Sequence, residues 1–258
     1  VSFVSTYFEY DNISSYEMGV RLIQINPGMI NSSFGYDRSP ITEKIKGRDK
    51  EFLFGVDTNV HKFSIAITTL DNKPWTKELK MRVAKWLFQT QYKPFVSGDS
   101  LDIIYYCMAD GHADRYDTST GHGYIAVDFI CNSPYAFSPT YIDVYSYDTF
   151  PTETIALNNY SNVNKYFYPE VEITMIDDTD VIITNLTNGG EQFTFSELEV
   201  GEVVYINNQS KQIISSLPNT YRLNNFNKKW LRLVEGVNRL KITGKVRVVF
   251  KSSFPIIL

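Results

Sequence analysis

Most of the residues and runs that announce a chemistry are scarce in this chain. Only two cysteines, Cys107 and Cys131, occur in 258 residues, too few for a disulfide scaffold. Both read as small apolar residues in strands, with a disulfide between them as the alternative. There is no Gly-x-x-x-x-Gly-Lys phosphate loop and no Gly-x-Ser-x-Gly elbow. Neither cysteine sits in a local signature of a cysteine hydrolase. Positive charge is not in excess: 25 Lys and Arg stand against 29 Asp and Glu, a formal net charge of −4. That balance lacks the electrostatic footprint of a nucleic-acid binder, so no sequence-specific nucleic-acid binding is expected. No apolar run approaches the roughly 20 residues that span a bilayer, so no membrane anchor is expected. Val1-Ser2-Phe3-Val4 lacks a basic segment and a long apolar run, so no signal peptide is expected there.

What is present is a folded, aromatic-rich composition. Hydrophobic residues make up 43% and charged residues 21%, outside the disordered range. Tyr (18) and Phe (17) lift the aromatic share to 15%, which favours strands. The length fits one large or two modest domains.

Phe3 to Tyr10 and Val20 to Ile25 read as strands. From Asn26 to Asn59 the pattern breaks at Pro27-Gly28, Gly35, Pro40, Gly47 and Gly55, with Glu43 to Lys46 and Glu51 to Phe54 as short strands inside it. A stretch of that length is a functional excursion or hides short strands. His61 to Leu70 alternates, with Phe63, Ile65 and Ile67 on one face. Pro74 to Thr90 is the one helix expected, capped by Asp71 or Asn72, with Trp75, Leu79, Val83, Trp86 and Leu87 on its apolar face against a sheet. Ile103 to Ala109 and Gly123 to Cys131 form a long hairpin around the polar loop Asp110 to His122. From Tyr166 onward, short strands separated by turns, without helices, predict a β-sandwich. The fold class expected is mainly β (β-rich α+β), with residues 1–137 as the first domain, 138–165 as a connector and 166–258 as the second domain.

Charge is segregated in the second half. Glu170 to Glu202 contains no Lys or Arg, whereas Arg222 to Lys251 is basic with Glu235 as its only acid. Either acidic strands pair beside basic ones, or a polarised surface docks on a neighbour.

Few constellations could carry catalysis. Asp110, His112, Asp114, Asp117 and His122 combine carboxylates and imidazoles, but their spacing matches no zinc or calcium signature, and a polar hairpin loop explains them. His61 reads as a surface residue. Glu170 with Glu172, and Glu197 with Glu199, are spaced as same-face strand residues and read as solvated faces rather than glycosidase pairs. Tyr221 and Trp230 are the residues that could stack on a sugar ring, with packing as the alternative. No catalytic residue, cofactor or metal is assigned.

The order of segments resembles the distal tail protein family of siphophages. The residues that carry the likeness are Asn12-Ile13-Ser14-Ser15 leading to Gly19, the Gly47-Arg48-Asp49 turn, Trp86-Leu87, and Pro94 to Asp99 running toward Tyr105-Tyr106. Val127 to Cys131 followed by Ser133-Pro134-Tyr135-Ala136 is the most specific of them. Later come Asn188-Gly189-Gly190 and Trp230 to Leu233 leading to Glu235-Gly236-Val237-Asn238, where Glu235 replaces the family's proline. Lys50 departs from the Gly that many relatives carry after Gly-Arg-Asp, and the loop Asp110 to His122 is longer than in the family.

The resemblance implies an N-terminal β-domain with one helix that forms a ring, usually a hexamer, and a C-terminal galectin-like β-sandwich. It implies a structural hub, not an enzyme, at the distal end of the virion tail, made in the host cytoplasm. The neighbours implied are the major tail tube protein and the tail-associated lysin or hub protein, with tape measure and receptor-binding proteins beyond them. A ring needs two different faces that meet on neighbouring copies. The stretch Asn26 to Asn59 is the candidate arm, with Arg38, Glu43, Arg48, Asp49 and Phe52 as candidate interface residues. A carbohydrate-binding adhesion module of the tail tip is the alternative, and a hydrolase of host wall polymer, with Asp110 and His112 as first suspects, is the third reading.

Overall fold

Alternating side chains dictate the strands of the computed structural model, which describes residues 3–25, 35–111, 113–147, 153–177 and 180–258. The chain divides into two units, Val1–Ser138 with Ile257–Leu258, and Pro139–Ile256. In the first, β1 (Phe8–Tyr10), β2 (Ile13–Ser14), β3 (Val20–Ile23), β4 (Arg38–Glu43), β5 (Phe52–Thr58) and β6 (Lys62–Thr69) precede helix α1 (Lys77–Leu87). After the helix come β7 (Lys93–Ser97), β8 (Ser100–Ala109), β9 (Asp114–Asp117), β10 (Gly123–Cys131) and β11 (Ala136–Phe137).

The main sheet runs β2-β1-β7-β8-β10-β6-β3, and these pairings are antiparallel. β10 pairs with β6 along most of its length, while β8 and then β9 share its other side. One sheet face is a cluster of rings. Phe8, Tyr10, Phe95 and Phe129 are fully buried, and Phe63 stacks on Phe129 at 5.4 Å and 17°. Phe3 lies 5.3 Å from Phe63 and 5.1 Å from Phe95. Helix α1 covers this face through Trp86, whose ring stacks on Phe8 at 5.4 Å and whose indole N–H donates to the Tyr10 carbonyl at 2.9 Å. The opposite face keeps Ile104, Tyr106, Met108 and Ile130 half-exposed.

The helix is shorter than the sequence predicts. Thr76 sits in extended conformation (φ −77°, ψ 159°), and its hydroxyl accepts from the Leu79 amide at 3.2 Å, so the helix starts at Lys77. Asn72, one of the two expected caps, occupies a left-handed turn (φ 52°) and accepts instead from Arg21. Trp75 precedes the helix, and its indole donates to the Gly123 carbonyl at 3.1 Å. Of the expected apolar face, Trp75, Val83, Trp86 and Leu87 are buried and Leu79 is partly so.

The second unit comprises β12 (Tyr141–Tyr147), β13 (Glu153–Asn159), β14 (Glu170–Met175), β15 (Val181–Asn185), β16 (Glu191–Phe195), β17 (Val203–Asn207), β18 (Gln212–Ser215), β19 (Gly236–Thr243) and β20 (Val246–Ser252). They form two antiparallel sheets, β12-β20-β14-β17-β18 and β13-β19-β15-β16. Val171, Ile173, Val204, Ile206, Val248 and Phe250 from the first sheet pack with Ile183, Phe193, Phe195, Leu240 and Ile242 from the second, giving a β-sandwich core. The turn from β19 to β20 passes through Gly244 (φ +122°), where a Cβ would come within 2.6 Å of the Asp180 carbonyl oxygen.

The stretch expected as a connector, 138–165, is a correction. It supplies β12, which pairs with β20 along Tyr141↔Ser252 to Tyr147↔Val246, and β13, which pairs with β19. In β12 the inward positions include Asp143 and Tyr145, which hid the alternation, while in β13 Ile155 and Leu157 alternate inward up to the polar Asn159. Asn159 is buried, and its amide donates to the Val234 carbonyl at 3.1 Å instead of packing as a hydrocarbon.

Candidate functional site: an exposed hairpin and an open cleft

Two surfaces stand out, one in each unit. In the first, β4 and β5 form a two-stranded sheet of their own, from Arg38↔Thr58 to Glu43↔Phe52, with a register shift between Ile41 and Thr42. The strands expected at Glu43 to Lys46 and Glu51 to Phe54 are therefore displaced: β4 ends at Glu43, and Lys44 to Glu51 form the connection. Residues 26–34 of the expected arm lie outside the described residues.

The hairpin is apolar and largely uncovered. Leu53 is 63% and Phe54 69% exposed, and Ile41, Ile45, Phe52 and Val56 are exposed as well. A lone two-stranded hairpin is marginal in water. One with exposed hydrophobic side chains gains stability by placing them against another surface. The five residues expected at an interface all lie here and all are exposed. Arg38 and Glu43 occupy the two ends of β4, and Phe52 opens β5. Arg48 and Asp49 lie in the connection, with the Arg48 guanidinium 5.4 Å from the centre of the Phe52 ring.

The Asp110 to His122 constellation is dispersed. Asp110 pairs with Lys62 at 3.0 Å, and Asp117 with Arg115. Asp114 to Asp117 form β9 rather than a loop. The His122 ring lies 3.0 Å from the Thr120 hydroxyl, and His112 lies outside the described residues. Among the described residues no group of three or more His, Cys, Asp or Glu is placed to hold a metal ion. His61 is half-buried rather than on the surface. Its ring lies 5.7 Å from Tyr105, and burial pushes its pKa below the usual imidazole value. Cys107 and Cys131 face each other across β8 and β10 as buried free thiols. Burial pushes Cys131 up to about 12 and Cys107 higher still, which suppresses thiolate chemistry.

In the second unit much of the segregated charge is consumed internally. Glu172 on β14 lies 3.4 Å from Lys251 and 3.9 Å from Arg247 on β20, and Asp177 pairs with Lys245 at 2.8 Å. Glu202, with no exposed side-chain surface, takes Arg222 at 2.7 and 2.9 Å and the Ser215 hydroxyl at 2.6 Å. Burial pushes the Glu202 carboxyl up, but the hydrogen bonds from Arg222, Ser215 and the Glu199 amide outweigh it and hold it below the usual carboxylate range. Glu170 and Glu172 do share a strand face, and Glu170 accepts from Asn207 at 3.2 Å. Glu197 and Glu199 sit in the β16–β17 loop rather than in a strand. Glu197 accepts from Asn225 at 3.3 Å, and Glu199 lies 3.6 Å from Arg222.

The expected sugar-stacking residues separate. Tyr221 is 90% exposed in a loop, whereas Trp230 is half-buried, 4.8 Å from Phe226. Trp230 instead lines an open cleft of about 590 Å³ with Tyr166, Tyr168, Lys211, Lys229 and Arg232, and Tyr221 is not part of its lining. The sequence reading missed this cleft. Its residues come from four segments far apart along the chain, which no local motif links.

Comparison with known proteins agrees with this architecture. Residues 3–133 match the model of a phage tail protein N-terminal domain, and residues 135–252 that of a phage tail C-terminal domain. The SPbeta prophage-derived uncharacterized protein YomH of Bacillus subtilis (strain 168) is 25% identical over 247 residues, covering 96% of each chain. Among solved structures, the SPP1 Dit (gp 19.1) protein superposes with a TM-score of 0.70 at 14% identity, covering 96% of this chain and 98% of that one. It is described as a paradigm of the hub adsorption apparatus in phages that infect Gram-positive bacteria. A chain of the phage P2 baseplate in its activated conformation with Ca follows, with a TM-score of 0.51 at 9% identity, covering 96% and 98%. The chain has the Dit fold, and by its two domain matches it belongs to the phage tail protein family.

Proposed function

We propose that this protein is the distal tail hub of its phage, a ring of about six copies that joins the tail tube to the tail tip. Supporting it are membership of a tail protein family and a likeness to the SPP1 Dit hub that runs the length of the chain. The observation that carries it is the β4–β5 hairpin, an apolar two-stranded arm that needs an acceptor surface. In a closed ring each copy offers an arm and receives one, so the exposed Leu53 and Phe54 become buried in every copy. The protein's part is structural rather than catalytic. Its outer neighbours are the tail tube protein on one side and tail-lysin and receptor-binding components on the other, and it resides in the virion tail.

Light scattering of the purified chain, with negative-stain images of the same peak, tests this reading. A particle of about six chain masses with an open centre is the expected result. A monomer at every concentration, unchanged by added tail tube protein, would overturn it.

A further inference from the structure

The second unit holds a cleft that the hub role does not use. The cleft beside Trp230 is lined by four cationic side chains, Lys165, Lys211, Lys229 and Arg232, against one carboxylate, Glu191. This is a local excess of positive charge on a chain whose formal net charge is −4. Arg232 and Glu191 satisfy each other, with the Arg232 Nε 2.9 Å from the Glu191 carboxylate. The same guanidinium lies 4.2 Å from the centre of the Tyr166 ring and fixes that ring in place. The exposed lysines Lys211 and Lys229 make no ion pair among the described residues, although the Lys229 charge also acts on the Glu191 carboxylate from a distance. Lys211 holds its place at a conformational cost. It sits in the β17–β18 turn at φ +58°, a region that glycine or asparagine occupies more easily.

We propose that this cleft binds an anionic carbohydrate chain. A sugar ring rests on the Trp230 and Tyr166 side chains, and its carboxylate or phosphate groups meet Lys211 and Lys229. Aromatic faces beside cations suit a ligand with an apolar ring face and a negative substituent. An acidic peptide suits the cleft less well. Extended peptides are usually read by a free strand edge. The cleft lining comes from loops and the first residue of β16, and the β16 edge is already taken: the Asn227 amide donates to the Thr194 carbonyl, and the Ser196 amide to that of Asn225. The site stands on these contacts alone and does not depend on ring formation.

The test titrates the 258-residue chain with a galacturonic acid hexamer, a maltohexaose phosphorylated at its C6 hydroxyls, neutral maltohexaose and an Asp/Glu hexapeptide, read by calorimetry and tryptophan fluorescence. Saturable binding of at least one anionic saccharide is expected, about tenfold tighter than maltohexaose or the peptide. The galacturonate and phosphorylated maltohexaose arms distinguish carboxylate from phosphate ligands. Lys211→Gly, which glycine's freedom at φ +58° accommodates, is expected to weaken binding about fivefold with the unfolding midpoint unchanged or raised. Trp230→Phe is expected to weaken it with loss of the fluorescence response. The proposal is overturned if neither anionic saccharide saturates, if the peptide or the neutral hexamer binds as tightly, or if Lys211→Gly binds like the parent chain.

Discussion

The first unit buries its rings under one helix and leaves the β4–β5 hairpin uncovered, with Leu53 and Phe54 largely in solvent. The second unit closes two sheets on each other and pairs Glu172, Asp177, Glu191 and Glu202 with basic residues of its own. A unit that satisfies its own charges has little reason to associate through them, since exposed ion pairs contribute little and are screened by salt. A unit that leaves an apolar arm uncovered has a standing reason to associate. On the proposed hub reading, that difference makes the hairpin of the first unit the surface for assembly, while the second unit pairs most of its segregated charge internally and leaves the lysines of the Trp230 cleft exposed.

The comparison breaks most readily at the cores. Phe129→Ala removes a ring that packs on Tyr10, Phe63 and Phe95 and should cost about 3–5 kcal/mol, read as loss of the first unit's transition in denaturant unfolding. The second unit's transition should stay where it was.

Next in size is the buried pair of the second unit. Arg222→Ala leaves Glu202 without its partner in a site with no exposed side-chain surface, at a cost on the order of 3 kcal/mol by denaturant unfolding. The same pair sets an acid dependence. Because the folded carboxyl of Glu202 titrates below its unfolded value, its stabilising contribution is complete above the ordinary carboxylate pKa and is lost as pH falls through the folded value. The second unit's melting temperature should therefore drop in that acid window, and Arg222→Ala should flatten the drop.

Helix capping is a smaller effect. Thr76→Ala leaves the Leu79 amide unmatched and should cost about 1 kcal/mol of first-unit stability. Asp71→Ala, at a position the sequence offered as the cap, should change stability by less than about 0.5 kcal/mol, which separates the two assignments by thermal unfolding.

Strands of the second unit were legible in the sequence where hydrophobic side chains alternate, as in Val171, Ile173 and Met175. β12 and β13 were not, because their inward positions include Asp143, Tyr145 and Asn159, polar or amphipathic groups whose partners lie far along the chain. The helix was legible from its apolar spacing, but its start was not, since Asp71, Asn72 and Thr76 are all residue types competent to cap and Thr76 is the one that accepts from the Leu79 amide. The hairpin residues Arg38 to Phe52 were picked out by an irregular stretch and the resemblance it sits in, and the structure shows them exposed on one arm. The cleft beside Trp230 was invisible, because it forms only when residues near 166, 191, 211 and 230 meet.

The most direct test of the hub account compares two surface variants by light scattering. Leu53→Ser with Phe54→Ser removes the two most exposed apolar side chains of β5, while Val144→Ser removes an exposed apolar residue of the second unit. Each should change monomer stability by no more than about 0.5 kcal/mol, as surface substitutions do. The account predicts that the hairpin variant falls to the mass of a single chain while the Val144 variant keeps the ring mass. A hairpin variant that keeps the ring mass would contradict it.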